Sequence, residues 1–296
     1  MSKLKLFLVP LIVLLTACSG GFANLPTLSP SATPTLTPSP VPPTSTAVPM
    51  ALTVNGEGIS RLEYEAEISR YKSALAASGK TATDAEIKKT VQDDLVAQLL
   101  LAEGAREAGF TLSEADLTKR IDDLVTSLGG AEKLSSWKTA HGYTDASFRS
   151  ALQRASAAAW MRDKIMAAVP TKAEQVHVQQ ILLYNEDVAK NYYSQLQAGA
   201  DFDTLAAQVD PDTRGDIGWF PRNYLAEKNV EDAAFSLQIN AYSEIISGEV
   251  GFHILKLLDR QPDRELSPDA LAVYQKKAIA DWISTQRQKS DIVLEN

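Results

Sequence analysis

Cysteine is nearly absent: Cys18 is the sole example in 296 residues. A single thiol builds neither an intrachain disulfide nor a thiolate metal cluster. Histidine is almost as scarce. His141, His177 and His253 stand far apart and in no metal-ligand spacing, so neither a metal nor another cofactor is implied. A run long enough to cross a bilayer, about 20 apolar residues, is also missing near the N-terminus, where Leu6–Leu15 holds ten with Pro10 among them. Positive charge is in deficit, with Lys+Arg at 29 against Asp+Glu at 37 and a formal net charge of −8. An acidic surface argues against nucleic acid or anionic lipid as the main partner and favours solubility.

What is there begins with a leader. Lys3 and Lys5, the apolar stretch LFLVPLIVLL and then small residues have the layout of a secretory signal over residues 1–17. Leu15-Thr16-Ala17-Cys18 resembles a bacterial lipobox, which implies cleavage before Cys18 and acylation of its thiol. The alternative is an ordinary signal peptide followed by an incidental cysteine. Residues 18–50 form a Pro/Ser/Thr-rich linker; eight of the 14 prolines lie between Asn24 and Met50. Such a segment cannot bury enough apolar surface to fold. In extended polyproline form Asn24–Met50 would reach about 80 Å. This places the folded part off the membrane, on a stalk.

Residues 51–170 read as mainly helical. Ala51–Val54 and then Asn55-Gly56 predict a strand and a tight turn. Ser60 with Glu63 has the form of a capping box, and Leu62, Ile68, Tyr71 and Leu75 then offer an apolar stripe. A long helix is predicted from about Asp84 to Ala108, with Val91, Leu95, Leu99 and Ala102 at three- and four-residue steps and Gly109 as its C-cap. Further helices start at Ser113, around Trp137 and near Thr144; Phe148, Trp137 and Trp160 read as core residues.

The period changes in residues 173–262. VHVQQILL (176–183) alternates like a strand. AKNYYSQLQAGADFDTLAAQ (189–208) has helix period, DPDTRGDIGWFPR (210–222) is rich in turn residues, EDAAFSL (231–237) signals a short helix, and GFHILKLLD (251–259) closes as a strand. Residues 263–296 add a helix from Ser267-Pro268 to about Lys289 and a terminal strand. The fold class is therefore α+β, a mostly helical domain carrying a small α+β domain.

Five pieces of the second segment, in order, carry a resemblance: the strand ending Gln180-Ile181-Leu182, GADFDTLA, GDIGWF, EDAAF and GFHILKL. Together they resemble the parvulin (PpiC) type of peptidyl-prolyl cis-trans isomerase. VNGEGISRLEYE, LLLAEGAREAGF, SEADL and GYTDASFRSAL resemble the helical chaperone region of SurA-like and PrsA-like proteins. That likeness implies that the parvulin-like domain is inserted, with boundaries near Pro170 and Pro262 and with Ile292–Leu294 returning to pair near Leu52–Val54.

The resemblance also implies site residues. His253 matches the second active-site histidine, Asp210 a position where parvulins carry cysteine or aspartate, and Gln180 the position of the first histidine. Ile217 and Leu225 match apolar pocket positions, Val230 the place of a phenylalanine that packs on the proline ring, and Trp219 and Phe252 are further substrate contacts. Four departures stand out: Gln180 for histidine, a short Asp210–Gly215 loop, the smaller Val230, and Val250 where a small hydroxyl residue is common. His177 is no substitute, because an odd offset from 180 puts it on the other strand face. Two alternatives stay open: His253 as a buried structural histidine, and Asp210 as an Asx cap of its own turn.

The implied partners are unfolded or proline-containing secreted polypeptides and, through acylated Cys18, a lipid bilayer outside the cytoplasm. The implied function is an envelope isomerase and foldase. A chaperone whose isomerase domain no longer turns over, or a docking module, would carry the same motifs.

Overall fold

The computed structural model describes residues 48–295; the leader, Cys18 and the linker up to residue 47 lie outside the described residues. In chain order the elements are β1 (Met50–Val54), β2 (Glu57–Ser60), α1 (Arg61–Ala77), α2 (Asp84–Glu107), α3 (Glu114–Leu128), α4 (Ala131–Ala140) and α5 (Asp145–Ala167). There follow β3 (Lys172–Leu183), α6 (Glu186–Gln197), α7 (Phe202–Val209), β4 (Asp216–Pro221) and α8 (Lys228–Ser236). The last are β5 (Ile246–Ser247), β6 (Phe252–Glu265), α9 (Pro268–Arg287) and β7 (Ile292–Leu294). The chain divides into two compact units, one ending at Met161 and resuming at Thr285, the other Arg162–Ser284.

In the first unit Asn55 and Gly56 both take positive φ, 50° and 86°, the backbone that a two-residue turn needs to match strand twist. The turn folds β2 onto β1, and β7 pairs with the other edge of β1, Leu52 opposite Leu294 and Val54 opposite Ile292. Ser60 caps α1 by accepting the Glu63 N–H at 3.2 Å. The Glu63 carboxylate does not return to the cap; it pairs with Arg154, itself buried. The complete capping box is the one at α2, Thr83 with Glu86. The expected apolar stripe of α1 is half-covered, with Ile68, Tyr71 and Leu75 partly buried. No residue of α1 is buried and Leu62 is 65% exposed, because Glu63, Glu65, Glu67, Arg70 and Lys72 put charge on every turn. The core role falls to α2, whose Val91, Leu95, Leu99 and Ala102 are buried. Phe148 packs with Leu117, Leu134 and Leu152, whereas Trp137 sits at the surface, stacked on His141.

The second unit is built on an antiparallel sheet of order β4-β3-β6-β5. From Val176 onward the even-numbered residues of β3, and the odd-numbered residues of β6 up to Leu257, point to one face, where Val176, Val178, Leu255 and Leu257 pack with Phe220 of β4 and Val230 and Phe235 of α8. On the opposite face Ile181, Leu183 and Ile254 meet Leu196 of α6 and Phe202 and Leu205 of α7. Burying each such side chain contributes about 1.5–3 kcal/mol.

Two expectations are corrected here. The single helix over 189–208 is two helices, broken at Gly199 (φ 94°) and restarted by Asp201, which accepts the Thr204 N–H at 2.8 Å. The turn-rich 210–222 contains strand β4, whose bulge at Gly218 (φ 76°) opposes Val178 and Gln179.

Candidate isomerase site

The site grows from the register of the two long strands. Gln180 lies opposite Leu255, and Leu182 opposite His253. Period-2 alternation then puts the Gln180 and His253 side chains on the α8 face, diagonal neighbours across the pair. They meet: His253 Nδ1 is 3.2 Å from Gln180 Oε1. Ile217, Tyr224, Leu225 and Ile246 pack partly buried against the same face.

His253 is only 8% exposed in its side chain. Its Nε2 is buried and has no hydrogen-bond partner. The nearest charge is Glu227, with Oε1 at 3.7 Å and a side chain 14% exposed. The other carboxylate oxygen, Oε2, accepts the Glu249 N–H at 2.7 Å. Burial pushes the His253 pKa down from its ordinary value, and the Glu227 charge opposes that shift without cancelling it. Near neutral pH this favours the uncharged ring.

The other expected site residues go elsewhere. Asp210 ends α7 and its carboxylate is engaged by its own turn: Oδ1 accepts the N–H groups of Asp212 and Thr213, each at 3.2 Å, and Oδ2 accepts the Thr213 hydroxyl. These bonds, the hydroxyl first, hold its pKa below the usual carboxylate value. This is the Asx-cap arrangement. Val230 is fully in the core of the α8 face rather than on an open wall. Phe252 and Trp219 are turned away from His253. Phe252 packs against the α6–α7 core, and Trp219 stacks on His177 at 5.3 Å beneath the Arg264 guanidinium. His177 is indeed on the face opposite Gln180, bonded to Asp216 at 2.9 Å.

Two residues escaped the sequence reading. Glu227 is one. The other is Glu231, a buried carboxylate that accepts three backbone N–H groups: Asn223 at 2.7 Å, Tyr224 at 2.8 Å and Leu225 at 3.0 Å. It fixes the loop that presents Leu225. An acidic residue in the first turn of a helix is usually a dipole partner, and nothing local distinguishes one that clamps a preceding loop. Among the described residues there is no group of three or more His, Cys, Asp or Glu side chains placed to hold a metal ion.

Chemically, the pair offers a neutral imidazole and an amide, each able to donate and to accept, beside apolar side chains. It offers no activated nucleophile. That set suits a reaction in which charge shifts within an amide without covalent chemistry.

Residues 165–259 match the model of the rotamase PPIC-type PPIASE domain, and residues 44–129 match the SurA-like N-terminal domain. The foldase protein PrsA of Caldanaerobacter subterraneus subsp. tengcongensis is 27% identical over 227 residues, 69% of this chain and 71% of that protein. The periplasmic chaperone PpiD of Haemophilus influenzae is 31% identical over 128 residues, 40% of this chain but 20% of that protein. Among solved structures, peptidylprolyl isomerase PrsA from Bacillus cereus superposes with a TM-score of 0.44 at 21% identity, covering 82% of this chain and 90% of that one. The chain thus carries a PPIC-type peptidyl-prolyl isomerase domain together with a SurA-like N-terminal domain.

Proposed function

We propose that the chain is an extracytoplasmic peptidyl-prolyl cis-trans isomerase and foldase for secreted polypeptides, held at the membrane by acylated Cys18. The observation that carries the catalytic reading is the Gln180–His253 pair on the sheet face that also bears Ile217 and Leu225.

A peptide bond before proline prefers trans by only about 0.5–1 kcal/mol, yet its exchange takes tens to hundreds of seconds. The barrier, roughly 18–20 kcal/mol, is amide resonance. At the twisted geometry resonance fades, the carbonyl loses polarity, and the amide nitrogen becomes a better acceptor. Apolar side chains that hold the proline ring, and a polar pair matched to the twisted state, lower the barrier by binding that state more tightly than either planar one. In this reading Ile217 and Leu225 receive the ring, and Gln180 and His253 supply the polar partner. Asp210 is given no role in the step.

The test is cis/trans exchange of a proline-containing peptide. The wild-type chain accelerates it; His253→Ala slows the catalysed rate by about fivefold or more, the size of one hydrogen bond of roughly 1 kcal/mol. Absence of acceleration by the wild type would remove the enzymatic reading.

A second reading, a chaperone that grips clients without turnover, is favoured by the burial of His253 and by Val230 lying inside the core. Suppression of aggregation of an unfolded client by a wild type that does not accelerate exchange would select it. For the anchor, Cys18→Ser releases the chain from the membrane fraction; unchanged retention would refute acylation at that residue.

A further inference from the structure

The Glu227 carboxylate stands at the N-cap position of α8 but makes no capping hydrogen bond to that helix. It points instead to the strand residue that the catalytic reading depends on. One oxygen is fixed by the Glu249 N–H at 2.7 Å, which leaves Oε1 facing the buried, unpartnered Nε2 of His253 at 3.7 Å. The space for this approach comes from Gly248. A Cβ there would overlap Glu227 Oε2 and lie 2.8 Å from His253 Nε2.

The donor–acceptor inventory then constrains the ring. A carboxylate only accepts, so a neutral imidazole meets it favourably only when Nε2 carries the proton. Nδ1 is then a bare lone pair and requires a donor. Gln180 supplies one when its amide turns by half a revolution, which exchanges Oε1 and Nε2 at the same place beside Nδ1. The opposite tautomer, with Nδ1–H donating to Gln180 Oε1, would set the Nε2 lone pair against an anion in a site screened from water. At 3.7 Å the contact is electrostatic rather than a hydrogen bond, and a lone pair held against an anion in a low-dielectric site is unfavourable.

We infer that Glu227 is a positioning residue for the isomerase site: it holds the proton of His253 on Nε2 and thereby turns the Gln180 amide so that its NH2 faces the ring and its oxygen faces away. The inference rests on the catalytic reading of the Gln180–His253 pair, but its primary readout needs no turnover.

That readout is the 15N spectrum of the histidine side chains in the full chain, in which protonated and bare ring nitrogens are resolved. His141→Gln and His177→Gln variants assign the His253 signals. The expected wild-type pattern near neutral pH is a protonated Nε2 and a bare Nδ1. Glu227→Ala moves the proton to Nδ1, where Gln180 Oε1 accepts it, and lowers kcat/KM about threefold, less than His253→Ala does. Gly248→Ala, which displaces the carboxylate while keeping it, shifts the pattern in the same direction. Glu227→Gln, close to isosteric, retains the fold and gives a mixed pattern with an intermediate rate. A wild-type ring protonated at Nδ1, or a pattern left unchanged by both Glu227→Ala and Gly248→Ala, overturns the inference. A wild type with the expected pattern but no isomerase activity would refute the catalytic reading alone.

Discussion

Replacing Glu231 by Gln isolates the anchor of the loop that carries Leu225. The carboxylate is buried and accepts three N–H groups, two on Oε2 and one on Oε1. A hydrogen bond to a charged acceptor contributes about 1.5–3 kcal/mol, and three that share one carboxylate do not add. The amide of Gln keeps one oxygen, so at least one N–H faces an NH2 donor and loses its partner, and the remaining bonds become neutral. The expected loss is about 2–4 kcal/mol. Because the chain forms two units, a single global unfolding curve would mix them. Native-state hydrogen exchange reads the site directly: protection of the 223–225 amides falls by that free energy in Glu231→Gln. Leu225 then loses its fixed place, so KM for a proline peptide rises more than kcat falls. A loss below about 1 kcal/mol, or unchanged exchange at 223–225, would refute the clamp.

Asp210→Ala removes a turn cap: it lowers the thermal midpoint slightly and leaves the cis/trans exchange rate within about twofold, whereas a larger rate loss would return Asp210 to the site. Gly215→Ala acts on Gln180 through the backbone, since Gly215 has φ 72° and a Cβ there would overlap Gln180 O; strain of about 1–3 kcal/mol and a loss of the Gln180–His253 contact follow, read by thermal unfolding and by the His253 ring signals. For pH, the His253 ring has a folded-state pKa below its ordinary 6.5, chiefly through burial. The unfolded chain therefore binds this proton more readily, and stability, full above pH 6.5, is lost as pH falls through the window beneath it. The part of that loss that disappears in His253→Gln measures the shift; no difference between the two proteins would show that burial leaves this ring unperturbed.

Much of the fold is written locally. Asn55-Gly56 demands its turn, Ser60 and Ser113 cap the helices they precede, and Gly129 ends α3 with a left-handed residue at φ 85°. The alternation of 176–183 places Gln180 and His177 on opposite faces, which the structure bears out. The break at Gly199 was hidden because Leu196, Phe202 and Leu205 keep apolar spacing across it and pack into one cluster. β4 was hidden because Gly215 and Gly218, which read as turn residues, serve a close approach to Gln180 and a bulge. Glu227 and Glu231 were illegible for a different reason. His253 lies 26 positions beyond Glu227, the N–H groups that Glu231 clamps belong to the loop six to eight positions before it, and an exposed acid on a helix has the same local pattern as a buried one.

The sheet offers two histidine–carboxylate pairs, and their surroundings decide which one carries chemistry. His177 is bonded to Asp216 at 2.9 Å, but the side chains are 25% and 48% exposed. Water screens that pair, so its net interaction is small. His253 and Glu227 stand farther apart, at 3.7 Å, with exposures of 8% and 14%. In that lower dielectric a charge acts over a longer reach, and a proton misplaced on the ring costs more. The shorter contact is therefore the weaker determinant. Trp219 and Arg264 complete the exposed pair by stacking, which uses up its open face, while Gln180 completes the buried one by hydrogen bonding. Exchanging the two carboxylates for amides separates the cases: Asp216→Asn leaves the His177 ring pattern and the exchange rate near wild type, and Glu227→Gln changes both at His253. Equal effects at the two sites would mean that burial does not govern the coupling, and the assignment of His253 to the site would lose its physical basis.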